Sequence, residues 1–190
     1  MGRLAQTLGL TNSPSQPTMN KGVPFVSQIG SSHENYGCGV AATLMLLRHI
    51  GRTDSFTATA KGLKVDVAPY RKWGQSGAGM GRGAYARDVT AYLSTLGVPH
   101  TLLADPSKTS VSKRVLRALL AGIPVMVGMN NKRAEWGEGG HWIVVEPSSV
   151  NKFTYLNSAI SKAEMFRGEI TWNKIARDWD GFAIAVTSDA

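Results

Sequence analysis

The chain has 190 residues, 43% of them hydrophobic and 18% charged, and a formal net charge of +8. This composition is typical of one globular domain with a sizeable core and excludes a disordered chain. The single cysteine, Cys38, excludes an internal disulfide and any metal site built on several cysteines. Lys and Arg are scattered without a long basic run, so the charge indicates solubility more than a nucleic-acid partner.

The first residues show no sign of a targeting segment. No apolar stretch approaches the about 18 residues that a membrane span needs, and the N-terminus lacks the apolar core and cleavage site of a signal peptide. We therefore expect no membrane association, and either a cytoplasmic location or secretion by a dedicated delivery system into a target cell. Residues 1–21, rich in Ser, Thr, Asn, Gln and Pro, are interpreted as a flexible lead-in or linker remnant, and 22–190 as one domain.

The first predicted elements place the thiol at a helix start. VPFVSQ (23–28) predicts a strand, and a loop leads from it to Cys38. Residues 38–50 are apolar on nearly every face, which predicts a buried central helix that ends at Gly51. The positive end of the helix dipole and the exposed backbone N–H groups stabilise a thiolate at this position. The sequence thus places its only thiol where a nucleophile can be activated.

A glycine-rich stretch at 70–83, YRKWGQSGAGMGRG, resembles a phosphate-binding loop at first sight. It lacks the GKS or GKT ending, and Arg82 stands where GxGxxG needs its last glycine. We interpret it as a flexible surface loop and expect no nucleotide cofactor.

Helices precede most of the strands in the remaining chain. Amphipathic helices are predicted at 84–98 and 110–122, with Ser110 or Ser112 as the cap of the second, and a short helix at 171–180. This order predicts an α+β domain with an antiparallel sheet. The predicted strands are 123–130, 141–146, 152–157 and 181–187.

One predicted hairpin brings a histidine and an asparagine together. If the hairpin is symmetric about Ser149, Glu146 faces Lys152 and His141 faces Asn157. An amide oxygen beside the imidazole accepts from one ring nitrogen, fixes the tautomer and leaves the other nitrogen available. A slip of one residue would place the two side chains on opposite faces.

A thiol at a helix start, a histidine at a strand end and an asparagine to orient it have the chemistry of a cysteine hydrolase. The chain resembles the papain-like peptidases of the double-glycine leader (bacteriocin-processing) type over roughly 23–187. The segments that carry this resemblance are, in chain order, VPFVSQ, YGCGVAATLMLLRHIG, LRALLAGIPVMVGM, GGHWIVVE and YLN. The resemblance implies a papain-like α+β fold, with the cysteine helix packed on the antiparallel sheet that carries the histidine and asparagine.

The resemblance also implies four catalytic roles. Cys38 is the nucleophile, His141 is the general base and then the acid, and Asn157 orients the imidazole. Gln28 forms the oxyanion hole with the backbone N–H of Cys38. The double-glycine peptidases usually have Asp followed by Pro as the third member, whereas this chain has Asn157 followed by Ser158. Papain itself uses Asn, so the chemistry is retained while the match to that subfamily is looser.

Several residues beside the proposed triad are predicted to line a narrow cleft for an extended peptide with small residues, and the resemblance implies cleavage after Gly-Gly. Core packing is the alternative for the two tryptophans, and Asp105 is an alternative third member. His33 would be close enough to line the site, whereas His49 and His100 are interpreted as structural or surface residues. The predicted lining residues are Gly37, Trp136, Gly139, Gly140 and Trp142.

We interpret the chain as a monomeric cysteine peptidase without metal or cofactor that acts through an acyl-enzyme. A copy without a transporter, with a linker-like N-terminus, suggests an interbacterial effector, a toxin held off in the producer by an immunity protein. Deamidase, transglutaminase and peptidoglycan amidase chemistry with the same triad remain open, as does a non-enzymatic basic binding module. Cys38→Ala abolishes activity under every enzymatic hypothesis and changes nothing for a binding module.

Overall fold

The structure is a computed structural model that describes residues 22–29, 37–52, 84–104, 108–129, 140–149, 152–159 and 167–187. These ranges contain four helices and six strands. In chain order they are α1 (Cys38–His49), α2 (Ala86–Thr95), β1 (His100–Ala104), α3 (Lys108–Leu120), β2 (Val125–Met129), β3 (His141–Ser149), β4 (Lys152–Leu156), β5 (Arg167–Ile170), α4 (Trp172–Asp178) and β6 (Trp179–Val186).

The strands form one six-stranded sheet in the order β1-β6-β2-β3-β4-β5, and every pair is antiparallel. Helices cover both faces: α1 and α2 pack on one, α3 and α4 on the other. Alternate residues of each strand supply the two cores, so that Val144 lies on the α1 side and Ile143 on the α3 side. The predicted α+β class with an antiparallel sheet is confirmed. No helix among the described residues is long and apolar enough to cross a membrane.

The central helix α1 is buried as the sequence predicts. Every residue from Cys38 to Leu47 is buried, and Gly51 adopts a φ of 80° just beyond the end of the helix. Each fully buried leucine contributes about 1.5–3 kcal/mol relative to an exposed one. The one polar side chain in this stretch, Thr43, donates its hydroxyl to the Gly39 carbonyl oxygen at 2.8 Å. The core can therefore hold α1 and position its first residue.

Some predicted elements differ from the structure. Residues 23–28 form an extended segment with a single bridge residue, Ser27, because its backbone bonds to side chains and a turn rather than to a neighbouring strand. Ser110 and Ser112 are not caps, since α3 begins earlier, at Lys108. The short edge strands β1 and β5 were not predicted, because neither HTLLA nor RGEI shows a clear strand pattern. The predicted lead-in 1–21 and glycine-rich loop 70–83 lie outside the described residues.

The predicted register of the β3–β4 hairpin is also wrong. Glu146 pairs with Thr154, and it is Ser149 that pairs with Lys152. The connection between the strands is therefore shorter than the five-residue loop that the sequence analysis assumed, with an irregularity between Pro147 and Ser149. The register is displaced by two residues, which preserves the face on which each side chain lies.

This displacement by two residues determines where Asn157 lies relative to His141. Val144 pairs with Leu156, so the next residue, Asn157, comes level with Ile143 rather than with His141. Asn157 is thus a diagonal neighbour of His141, within reach of a side-chain contact. The predicted contact forms, although the residues are not directly opposite each other.

Candidate active site

The thiol of Cys38 lies buried at the first residue of α1. Burial raises the pKa of this thiol above its ordinary range, and the backbone N–H groups of Trp142, Gly39 and Cys38 itself lower it to a smaller extent. The helix-start contribution that the sequence analysis expected is present, but desolvation outweighs it. Burial therefore favours the neutral thiol over the thiolate.

Gly39 allows α1 to begin against the sheet. A methyl group at this position would lie 2.8 Å from the Ala84 Cβ atom and 3.3 Å from Cδ1 of Trp142. The Trp142 indole donates to the Ala84 carbonyl oxygen at 2.8 Å, which fixes this contact. Because the Cys38 thiol also accepts from the Trp142 backbone N–H, it lies at the start of β3, next to His141 in the chain.

His141 Nε2 and Asn157 Oδ1 are 2.8 Å apart, and both side chains are buried. The Ala159 backbone N–H donates to the same Oδ1 atom at 3.0 Å, so this atom is the acceptor and faces the ring. Nε2 therefore carries the proton, and Nδ1 has the lone pair of the neutral imidazole. Burial lowers the pKa of His141, and the hydrogen bond that its Nε2 donates to Asn157 Oδ1 raises it less.

Gln28 lies on residues 22–29, which we call the N-terminal strap. Ser158 Oγ donates to Gln28 Oε1 at 2.7 Å, and the Gln28 backbone N–H donates to the Ser158 carbonyl oxygen at 2.9 Å. Gln28 is therefore held by the residue that directly follows Asn157. One short turn, residues 157–159, therefore contacts two side chains that are far apart in the chain. Ser158 contacts Gln28, and Asn157 contacts His141.

The other end of the strap is held by an ion pair. Val23 N–H donates to Glu146 Oε2 at 2.6 Å, and Arg167 Nη2 donates to the Val23 carbonyl oxygen at 2.6 Å. Arg167 Nη1 contacts Glu146 Oε1 at 2.5 Å. The sequence analysis did not predict the Glu146–Arg167 clamp or the contact of Ser158 with Gln28. Each of these contacts joins segments that are distant in the chain, and only the fold defines how those segments meet.

The remaining predicted lining residues have different surroundings. The Trp142 indole packs in the core beside α1, which was the alternative left open for it. Gly140 has a φ of 86°, a left-handed conformation that turns the chain into His141. Gly37 is buried, and its carbonyl oxygen accepts from Ala41 N–H at 2.9 Å. Trp136 and Gly139 lie outside the described residues.

His100 and His49 are not part of this arrangement. His100 Nδ1 contacts the Val98 carbonyl oxygen at 2.8 Å, a local structural role. His49 is the last residue of α1, at the opposite end of the helix from Cys38. Asp105 and His33 lie outside the described residues. Within the described ranges, no group of three or more His, Cys, Asp and Glu side chains could hold a metal ion.

The arrangement can perform acyl transfer. A neutral thiol and a neutral imidazole whose Nδ1 bears a lone pair are a nucleophile and a base. The amide of Asn157 holds the base in one tautomer, and the amide of Gln28 is a candidate donor to a developing oxyanion. The fold and these side chains define a papain-like cysteine hydrolase.

Comparison with known proteins agrees with this class. The model of the Peptidase_C39 like family matches residues 20–183, so the chain belongs to that family of cysteine peptidases. No curated protein matches the chain in sequence.

Solved structures share the fold at low sequence identity. The peptidase domain of Streptococcus ComA, a bifunctional ABC transporter involved in quorum sensing, has a TM-score of 0.55 and 16% identity, covering 88% of this chain and 100% of that domain. A putative C39-like peptidase from Bacillus anthracis has a TM-score of 0.56 and 16% identity, and the match covers 93% of this chain and 100% of that chain. A double glycine motif protease from an AMS/PCAT transporter, in complex with its leader peptide, has a TM-score of 0.50 and 14% identity, covering 87% and 93%.

Proposed function

We propose that the protein hydrolyses peptide bonds with Cys38 as nucleophile, His141 as general base and then acid, and Asn157 as the residue that orients the imidazole. The observation that carries this proposal is the 2.8 Å contact between His141 Nε2 and Asn157 Oδ1. Because Ala159 N–H holds the same oxygen, the contact leaves Nδ1 as the basic atom.

The reaction starts from two neutral groups. As the Cys38 sulfur attacks the substrate carbonyl carbon, the thiol proton passes to His141 Nδ1, and the carbonyl oxygen becomes an oxyanion. The backbone N–H of Cys38 and the side-chain amide of Gln28 donate to that oxygen, each worth about 2.7–4 kcal/mol by analogy with other oxyanion holes. The imidazolium then protonates the leaving amine, the C–N bond breaks, and a thioester remains.

Hydrolysis of the thioester restores the enzyme. A water molecule attacks the thioester carbonyl carbon while His141 Nδ1 accepts its proton, and collapse of the second oxyanion expels the thiolate, which recovers a proton from the imidazolium. The product is a carboxylic acid. Replacing water by a protein amine would form a new amide bond, which is transglutamination only when the acyl donor is a glutamine side chain, so the acyl donor and the acceptor together determine which of these reactions occurs.

We propose an extended peptide with small residues at the bond cleaved, probed first after a Gly-Gly pair. Family membership supports this substrate, and one similar solved structure is that of a double glycine motif protease with a leader peptide. Deep burial of Cys38 and His141 favours residues without bulky side chains at the scissile bond. Gly37, Gly140 and the unplaced Trp136 and Gly139 remain the proposed lining.

We further propose that this peptidase is an interbacterial effector acting on a cytoplasmic protein of the target cell. An immunity protein that covers the cleft would protect the producing cell. The proposed enzyme is a monomer and reaches its target through a dedicated delivery system.

The test is expression of the wild type and Cys38→Ala in a sensitive bacterium, with growth and new protein termini as readouts. We expect growth arrest and new fragments with the wild type only. Equal effects of both proteins would overturn the catalytic assignment. A mass change of about one unit without fragments would indicate a deamidase instead of a peptidase.

A further inference from the structure

Ser158 stands where the double-glycine peptidases usually have proline, and its hydroxyl is committed to Gln28. The side chain is fully buried, and Oγ donates to Gln28 Oε1 at 2.7 Å. A proline at this position could not make that bond, since its side chain has no donor. Loss of the hydroxyl leaves a buried amide oxygen without this partner, which is costly.

The direction of this hydrogen bond determines how the amide of Gln28 is turned. A carboxamide is planar, and its oxygen and nitrogen lie on different branches of the same carbon. Because Oε1 accepts from Ser158, the amide nitrogen Nε2 of Gln28 points away from Ser158. The Gln28 backbone N–H bonds to the Ser158 carbonyl oxygen at 2.9 Å, so the backbone of the strap and its side chain are held by the same residue.

The same turn also holds the base. Asn157 Oδ1 contacts His141 Nε2 at 2.8 Å and is itself held by Ala159 N–H at 3.0 Å. Consecutive residues 157 and 158 thus orient the imidazole and the strap amide. A displacement of this turn would move both groups together, which keeps their mutual geometry.

We propose that Ser158 is a positioning residue that presents the Gln28 amide N–H to the oxyanion, so that one turn sets both the base and the oxyanion donor. This inference rests on the proposed function, in which Cys38 is acylated and Gln28 stabilises the oxyanion. Ser158 does not touch the reacting atoms and acts only through Gln28.

Two reactions of Cys38 separate this role from a structural one. Acylation by an N-blocked Gly-Gly p-nitrophenyl ester forms a bond from sulfur to the acyl carbon, passes through an oxyanion and releases p-nitrophenolate. Alkylation by iodoacetamide forms a bond from sulfur to carbon with loss of iodide and no oxyanion. Both need the nucleophile and base, whereas only the first needs the oxyanion donor.

We expect Gln28→Ala to slow acylation about 100-fold and Ser158→Ala about tenfold, while alkylation keeps its rate and pH profile. The double variant should match Gln28→Ala at about 100-fold, not about 1,000-fold, because Ser158 acts through Gln28. Ser27→Ala is the matched control. The Ser27 hydroxyl also lies between the strap and Ser158, but it bonds to backbone atoms: it donates to the Ser158 carbonyl oxygen and accepts from the Ile29 N–H. This control should acylate at a rate close to that of the wild type.

The outcomes distinguish the two proposals. If Gln28→Ala slows acylation and Ser158→Ala does not, or if the two losses are additive, the positioning role is overturned while the proposed function stands. Equal slowing of acylation and alkylation by Ser158→Ala would indicate a general structural role and also overturn it. If Gln28→Ala leaves acylation unchanged, or the wild type acylates no faster than Cys38→Ala, the proposed function fails and this inference with it.

Discussion

At the scale of single residues, burial determines the protonation states of the site. Desolvation lowers the pKa of His141 and raises that of Cys38, so burial favours the neutral form of each group. An exposed thiolate–imidazolium pair would show the opposite shifts. In the proposed mechanism the proton therefore moves during attack, and the amide of Asn157 orients the imidazole without adding a charge.

Asn157→Asp tests this description. A carboxylate in place of the amide keeps the acceptor for His141 Nε2 and adds a negative charge that raises the pKa of the imidazole. In the wild type the lowered pKa places the acid limb of kcat/KM below about pH 6.5, since His141 must be neutral to accept the thiol proton. We expect the acid limb of the variant to lie at a higher pH than that of the wild type. The measurement is a pH profile of kcat/KM.

Asn157→Ala is the control for this prediction. It removes the acceptor without adding charge, so kcat/KM falls across the pH range without an upward shift of the acid limb. An acid limb unmoved by Asn157→Asp would mean that the imidazole does not govern the reaction.

At the scale of elements, the contact between α1 and β3 holds Cys38 at the start of the strand that carries His141. The contact requires glycine at residue 39, since Ala84 and the Trp142 ring occupy the space of a side chain. The Trp142 backbone N–H then reaches the thiol, and His141 precedes it on the strand. A short connection after β3 and the shifted β3–β4 register place Asn157 diagonally beside His141.

Gly39→Ala should separate the helix start from the strand. Relief of the clash with the Ala84 Cβ atom at 2.8 Å requires movement of α1 or Trp142, at a cost of about 1–3 kcal/mol of unfolding free energy. We expect a loss of peptidase activity together with this destabilisation, measured by denaturant unfolding and kcat/KM.

Gly51→Ala provides the comparison for this substitution. Its backbone has a φ of 80°, so alanine is strained there by about 1 kcal/mol, yet no atom lies within 4 Å of the added methyl group. This variant should lose stability and keep its activity. Full activity in Gly39→Ala would show that the close contact is not needed to position Cys38.

At the scale of the whole molecule, the site joins distant parts of the chain. The strap begins at the Glu146–Arg167 clamp and ends at Ser158, so residues near the N-terminus are held by the far half of the sheet. Arg167 belongs to edge strand β5, which β3 and β4 separate from β2 in the sheet order. The side chain of Gln28, the proposed oxyanion donor, thus depends on contacts that form when β3, β4 and β5 are assembled.

Arg167→Met tests this dependence. It leaves the buried Glu146 carboxylate without its cation, and since Arg167 is partly exposed we expect a loss of about 1–3 kcal/mol, less than for a fully buried pair. Loosening of the strap should also lower kcat/KM through Gln28. Chemical denaturation and amide hydrogen exchange of residues 22–29 are the measurements.

Lys152→Met is the matched control, because the Lys152–Glu169 pair is exposed on both sides at 3.4 Å. Its loss should change stability by less than about 1 kcal/mol and leave activity unchanged. Similar effects of the two substitutions would show that the clamp does not hold the strap.

The sequence by itself determined the local features. Continuous apolar character from Cys38 to Leu47 specified a buried helix, and Gly51 marked where it stops. The order of helices and strands specified the α+β class. These properties depend on neighbours within a few residues, which side-chain period and turn chemistry encode directly.

Only the tertiary structure decided what depends on register and burial. The pairing of β3 with β4 differs by two residues from a symmetric hairpin, because turn length and a local irregularity set it. The pKa of Cys38 rises because the surrounding core removes water, against the helix-start effect that the sequence predicts. Ser158 meets Gln28 across 130 residues of chain, a contact that no local pattern records, since only the assembled sheet brings its partners together.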